Sequence, residues 1–165
     1  MQGLSSPFVI HALEEVITGG AGNSNEPPIG IYRSGTAIKK FFMGCGVEMS
    51  IGSMQSRLSA TQETLHDLMH RENGVAAIER IITTVADPRY YETDPSKGVA
   101  VIEHLNRVLE VEGFVLSIVN GKAALLTKQG GSVTVSAIAT KTALLDFDTV
   151  QRDIERSLQS VDDAS

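Results

Sequence analysis

Phe8, Val9, Ala12, Leu13, Val16 and Ile17 recur at the three- and four-residue spacing that places side chains on one face of a helix. Ser5-Ser6-Pro7 supplies a hydroxyl cap and a first-turn proline, and Gly19-Gly20 ends the pattern. The stretch "GGAGNSNEPPIG" reads as a linker, so residues 1–30 are expected to be a leading helix on an arm. Such a helix docks on its own domain or on a partner. Further on, Ser34 caps a helix predicted to run to about Met43, broken by Gly44-Cys45-Gly46. A longer helix is predicted to open at Ser50 to Ser53 and run toward Asn73, with Met54, Leu58, Leu65, Leu68 and Met69 inward and Asn73-Gly74 as its stop. Ala76 to Ala86 is a third helix, ended by Asp87-Pro88. Lys97 to Glu112 is a fourth, burying Val101, Ile102, Leu105, Val108 and Leu109, with Gly113 at its stop.

The period then changes from helical to alternating. Phe114, Leu116 and Ile118 alternate with Val115, Ser117 and Val119, and Asn120-Gly121 has the residues of a type I′ turn before "KAALLTK" returns. The stretch "QGGS" breaks the chain, and "VTVSAI" reads as a further short extended piece. From about Thr142 a last helix carries Leu144, Phe147, Val150, Ile154, Leu158 and Val161. The predicted fold is therefore mainly α with a small β-hairpin: a winged-helix-like helical domain over 31–128, then a linker and C-terminal helix over 129–165.

Composition narrows this reading. Apolar residues make up 42% of 165 and aromatics only 5%, so the chain can bury an ordinary domain core and that core must be aliphatic. The single cysteine, Cys45, excludes an internal disulfide framework and fits a reducing compartment. The run "PFVIHALEEVI" is short, carries Glu14 and Glu15 and lacks a basic leader, so a cytoplasmic protein without membrane attachment is expected. A net charge of −6 argues against a general nucleic-acid binder. The segment from Gly30 to Glu110 is nearly neutral, which leaves room for a local basic patch there.

Few residues suggest chemistry. His66 and His70 lie four apart on a predicted helix, but no third ligand accompanies them. Cys45 has no adjoining cation to activate it, and Gly19-Gly20-Ala21-Gly22 lacks the strand and the Lys-Ser/Thr ending of a phosphate loop. Glu14-Glu15 reads as a solvated face. In Asp87-Pro88-Arg89-Tyr90-Tyr91, arginine beside two tyrosines has the chemistry to meet a phosphate or stack on a base. The alternative is architectural: Asp87 stops the helix, Arg89 pairs with an acid and a tyrosine plugs the core edge. The helix before the hairpin carries Glu103, Glu110 and Glu112 against Lys97 and Arg107, a poor match for phosphates. Lys39 and Lys40, with Arg33 just before them, are the better basic candidates.

The phrases "SGTAIKKFFMGCG", "AIERIITTVADPRYY" and "HLNRVLEVEGFVLSIVNGKAALL" resemble the N-terminal domain of bacterial abortive-infection proteins. The matching positions are Ser34, Gly35, Ile38 and Phe41, then Asp87, Pro88, Arg89 and Tyr90, then Leu105, Asn106, Leu109, Glu112, Gly113 and Lys122. Proteins of that family carry a C-terminal effector of the HEPN type, often a ribonuclease, and the tail "DFDTVQRDIERSLQSVDD" looks like the lead-in to it. The resemblance implies phage defence. The family's Arg-x4-6-His catalytic spacing occurs nowhere here, so no catalytic residue carries over.

The resulting expectation is a non-catalytic regulatory, sensor or protein-interaction domain serving an effector beyond this chain. The alternative is a nucleic-acid-binding module that recruits an effector to RNA or DNA. No cofactor and no metal site is assigned. The candidate ligand or partner surface comprises Lys39, Lys40, Arg89, Tyr90, Ile154 and Leu158. Phe147, Val150, Ile154, Leu158 and Val161 form a narrow apolar seam suited to a homodimer contact or to the effector.

Overall fold

In a computed structural model of the chain, residues 3–21 and 25–128 are described. The expected extended piece at 133–138, the helix from 142 and the candidate residues Ile154 and Leu158 lie outside them. Five helices precede the hairpin: α1 (Pro7–Thr18), α2 (Gly35–Gly44), α3 (Arg57–Met69), α4 (Gly74–Val85) and α5 (Pro95–Leu109). Strands β1 (Phe114–Val119) and β2 (Lys122–Thr127) then pair antiparallel. Short 3-10 turns sit at Gly3–Ser5 and Pro88–Tyr91. The chain is thus mainly helical with a small hairpin. The hairpin packs on the last helix, α5.

Local sequence explains where most helices begin. The hydroxyls of Ser6, Ser34 and Ser56 each accept a bond from the amide three residues on, at 3.3, 3.2 and 3.0 Å. Pro7 and Pro95 occupy first-turn positions, where a missing N–H costs nothing. Gly19 closes α1 in the left-handed conformation (φ 85°), and a Cβ there would lie 2.6 Å from the Ile31 carbonyl oxygen. Asn120 and Gly121, with φ of 53° and 77°, form the tight hairpin turn.

Three expectations are corrected. Met54 is not inward but 96% exposed, because α3 starts at Arg57 rather than at Ser50 to Ser53. Gln55 Oε1 accepts from the Gly52 amide at 3.0 Å, closing a turn where the apolar pattern predicts helix. Phe8 is 71% exposed, since the buried stripe of α1 centres on Val9, Leu13, Val16 and Ile17. Asn73-Gly74 is not the end of α3, which stops at Met69, but the start of α4. At that corner a Cβ on Gly74 would fall 1.7 Å from the Leu68 carbonyl oxygen, so only glycine lets the two helices meet.

One aliphatic core joins all five helices and the hairpin. The leading helix docks on its own domain: α1 packs on both α3 and α5. Leu116 and Leu125, opposite each other in the hairpin, face inward. Phe42 is the largest side chain among those almost fully enclosed. Among the described residues, no helix is long and apolar enough to cross a membrane.

The hairpin is pinned to α5 by one side chain. Asn106 Nδ2 donates to the Leu116 carbonyl at 2.9 Å, and its Oδ1 accepts from the Leu116 amide at 2.7 Å. Leu116 is only 1% exposed, so its backbone groups have no water to turn to. Replacing Asn106 with Leu should therefore cost about 2–4 kcal/mol through two unpaired buried groups. The measurement is the urea midpoint of the variant against wild type.

Candidate functional site

The polar centre of the domain lies at the carboxyl end of α1. A helix leaves its last carbonyls without intrahelical partners, and its dipole makes that end negative. Two arginines answer this. Arg33, 5% exposed, donates from Nη1 to the Val16 and Ile17 carbonyls at 3.4 and 3.1 Å. Arg57 Nη1 donates to the Thr18 carbonyl at 2.7 Å and to the Arg33 carbonyl at 3.3 Å, and its Nη2 reaches the Gly20 carbonyl at 2.9 Å.

Both guanidinium groups also rest on aromatic faces. Arg33 lies between Phe41 and Tyr90, its Cζ 4.9 and 4.7 Å from their ring centres, and Arg57 stands 4.2 Å over Tyr32. Arg33 Nη2 is buried with no hydrogen-bond partner among the described residues. Tyr91 is buried beside this centre and donates its hydroxyl to the Val85 carbonyl at 2.7 Å. Burial raises the Tyr91 pKa, and the Arg33 charge partly opposes the rise.

This geometry places the sequence-predicted residues. Tyr90, 40% exposed, has its ring occupied by Arg33 and packed against Phe41. Arg89 points into solvent and grips Asp87, Nε to Oδ1 at 3.1 Å and Nη2 to Oδ2 at 2.6 Å. Asp87 also accepts from the Arg89 amide at 2.9 Å, so it starts the 3-10 turn as well as pairing the side chain. Lys39 and Lys40 are both exposed on α2. The turn and α2 meet through Tyr90 and Phe41. The architectural account of the Asp87–Tyr91 phrase thus matches every bond seen in it.

The other polar groups are similarly engaged. His104 Nε2 lies 2.8 Å from Glu15 Oε1 and ties α5 to α1, while His11 flanks the same carboxylate at 3.4 Å. Glu14, beside it, has its pKa raised mainly by burial. Cys45 is enclosed, and burial pushes its thiol pKa up, away from the reactive thiolate. His66 and His70 do face each other, ring centres 5.7 Å apart, on an exposed helix end. No group of three or more His, Cys, Asp or Glu is arranged to hold a metal among the described residues.

The sequence reading passed over a surface cleft of about 670 Å³ between α2, the loop that follows it, and α3. Lys39, Met43, Glu48, Glu63, Asp67 and Arg71 line it. Part of its signal was present: Glu63 and Asp67 lie four apart and so share one face of α3, with Arg71 just past its end.

No protein-family model, no curated protein and no solved structure matches the chain.

Two outcomes follow from the charges. Replacing Arg33 with Met should lower stability by about 2–3 kcal/mol, because charged hydrogen bonds and the cation–π contacts are lost together. Arg33→Lys should recover little, since an ammonium cannot lie flat between two rings while reaching two carbonyls. Thermal melts of the three proteins check this. Separately, the Arg89 hydrogen bond holds the Asp87 pKa below its ordinary value of 3.8. A depressed carboxylate stabilises the fold fully above that ordinary value and loses its contribution as pH falls through the folded-state value. The urea-midpoint gap between wild type and Asp87→Asn should therefore be constant at neutral pH and close in strong acid.

Proposed function

We propose that this chain is a non-catalytic regulatory or protein-interaction domain of a bacterial abortive-infection system, which holds, senses for or positions a HEPN-type ribonuclease effector. The observation that carries the reading is the use to which the resembling phrases are put. Ser34 caps α2, Asp87 starts a turn and captures Arg89, and Asn106 clamps β1. Gly113 takes a positive φ of 94° before the hairpin. These residues build a stable platform, and none of them presents a nucleophile with a base and an orienting partner. A platform of this kind contributes by binding, and the apolar seam carrying Ile154 and Leu158 is its sequence-level contact for a second copy or for the effector.

The competing reading is a nucleic-acid-binding module centred on Lys39 and Lys40. Its weakness is that the flanking candidates are engaged: Arg89 by Asp87, and the Tyr90 ring by Arg33. The outward face of α5, the helix before the hairpin, carries Glu103 and Arg107, with Glu110 at its end.

Three measurements test the proposal together. Purified chain should turn over neither RNA, DNA nor nucleoside triphosphates, with or without added divalent metal. Labelled single- and double-stranded RNA and DNA should bind only weakly at physiological salt. Sedimentation should show association that Ile154→Glu/Leu158→Glu abolishes while the melt is retained. Turnover lost on a point substitution within the chain would overturn the non-catalytic reading. Tight binding with a steep salt slope, removed by Lys39→Ala/Lys40→Ala, would install the nucleic-acid reading in its place. A monomeric wild type whose double variant merely unfolds would make the seam ordinary core.

A further inference from the structure

The cleft between α2 and α3 is the middle of a longer depression. A hollow of about 300 Å³ adjoins it, sharing Glu63 and Asp67 as lining and adding Gln55, Ser59 and His66. A smaller one of about 110 Å³ adjoins it through Val47 and Arg71 and adds Asn73 and Arg80. Together they form a trough along α3. From Ser59 to Met69 that helix rises about 15 Å, the reach of roughly five extended residues.

Charge is sorted along this trough. The outer hollow has Glu63 and Asp67 and no lysine or arginine, whereas the inner one has Arg71 and Arg80 and no acid. Elsewhere in the fold, Asp87 and Arg89 are joined as an ion pair. In the trough, none of Lys39, Glu48, Asp67 and Arg71 forms an ion pair with a described residue. The cleft between them shares Glu63, Asp67 and Arg71 and adds Lys39 and Glu48 around an apolar strip, in which Val47 and Met49 are buried beneath and Met43 stands 65% exposed at the edge. Methionine is the side chain that adapts to varied apolar partners. An elongated depression with acids toward one end, arginines toward the other and an exposed methionine between them suits a polypeptide better than a compact metabolite.

We propose that the trough binds an extended peptide segment of a partner protein, with a basic side chain toward Glu63 and Asp67, an apolar side chain beside Met43, and an acidic side chain toward Arg71 and Arg80. The inference rests on the interaction-domain reading and names the surface and chemistry by which the domain takes a partner. The trough charges supply orientation, because a peptide laid in the reverse direction would set like charges against each other at both ends.

The test is to pan a random-peptide display library on the full chain and titrate the enriched sequences, made synthetically and labelled, by fluorescence polarisation. Enriched peptides should carry a basic and an acidic residue flanking an apolar one. Their affinity should fall at least about tenfold on Glu63→Lys/Asp67→Lys and on Arg71→Glu. A peptide with its two charges exchanged should regain affinity on the variant with all three reversals. Every substituted side chain is exposed, so the melts should hold, and Glu63→Gln/Asp67→Asn serves if one does not. The proposal is overturned if no sequence enriches, or if affinity ignores these reversals. If no peptide enriches while Ile154→Glu/Leu158→Glu still abolishes association, the interaction-domain reading survives and the trough assignment alone fails.

Discussion

A helix end placed inside a protein must find donors for carbonyls that water would otherwise serve, and the carboxyl end of α1 sets this demand on the whole domain. Because α1 packs on both α3 and α5, its last turn points inward. Arg33 and Arg57 satisfy it, and each brings another part of the chain along. Arg33 precedes α2 and is flanked by rings from α2 and from the turn before α5; Arg57 opens α3. A single electrostatic requirement thus gathers the start of two helices and one turn around the end of a third.

That arrangement explains which features can be read from residues in order. Caps at Ser6, Ser34 and Ser56 and the Asn120-Gly121 turn are local, each settled within about four residues, and three of these four were legible. The fourth, Ser56, was hidden because Met54 extended the apolar pattern, and nothing in a pattern shows that Gln55 folds back on Gly52. Arg33 and Arg57 carry no periodic signal at all. Their partners are backbone oxygens 16 to 39 residues earlier, groups that every residue possesses. Asn106 was noticed through a resembling phrase, but its bond to a strand ten residues later follows only from the packing of α5 on β1.

The candidate surface was legible in the same uneven way. Lys39 and Lys40 were expected to be exposed and are. The Asp87–Tyr91 phrase offered the right atoms for a ligand, yet Asp87 and Arg33 take up Arg89 and the Tyr90 ring from within the chain. Conversely, Glu63, Asp67 and Arg71 look like ordinary helix-surface charges in one dimension. They line a depression only because α2 and the loop after it stand across from α3.

The Asn106 clamp has a consequence for how this small sheet can grow. By occupying both outward backbone groups of Leu116, the amide behaves as a one-residue counterfeit strand, and it blocks the outer margin of β1 at that position. The pairing of Gly113 with Lys128 directs the amides and carbonyls of Ala123, Leu125 and Thr127 away from β1. The hairpin is therefore one-sided: neighbouring molecules cannot stack on it from both margins, so edge-to-edge polymerisation into a continuous ribbon has no repeating path.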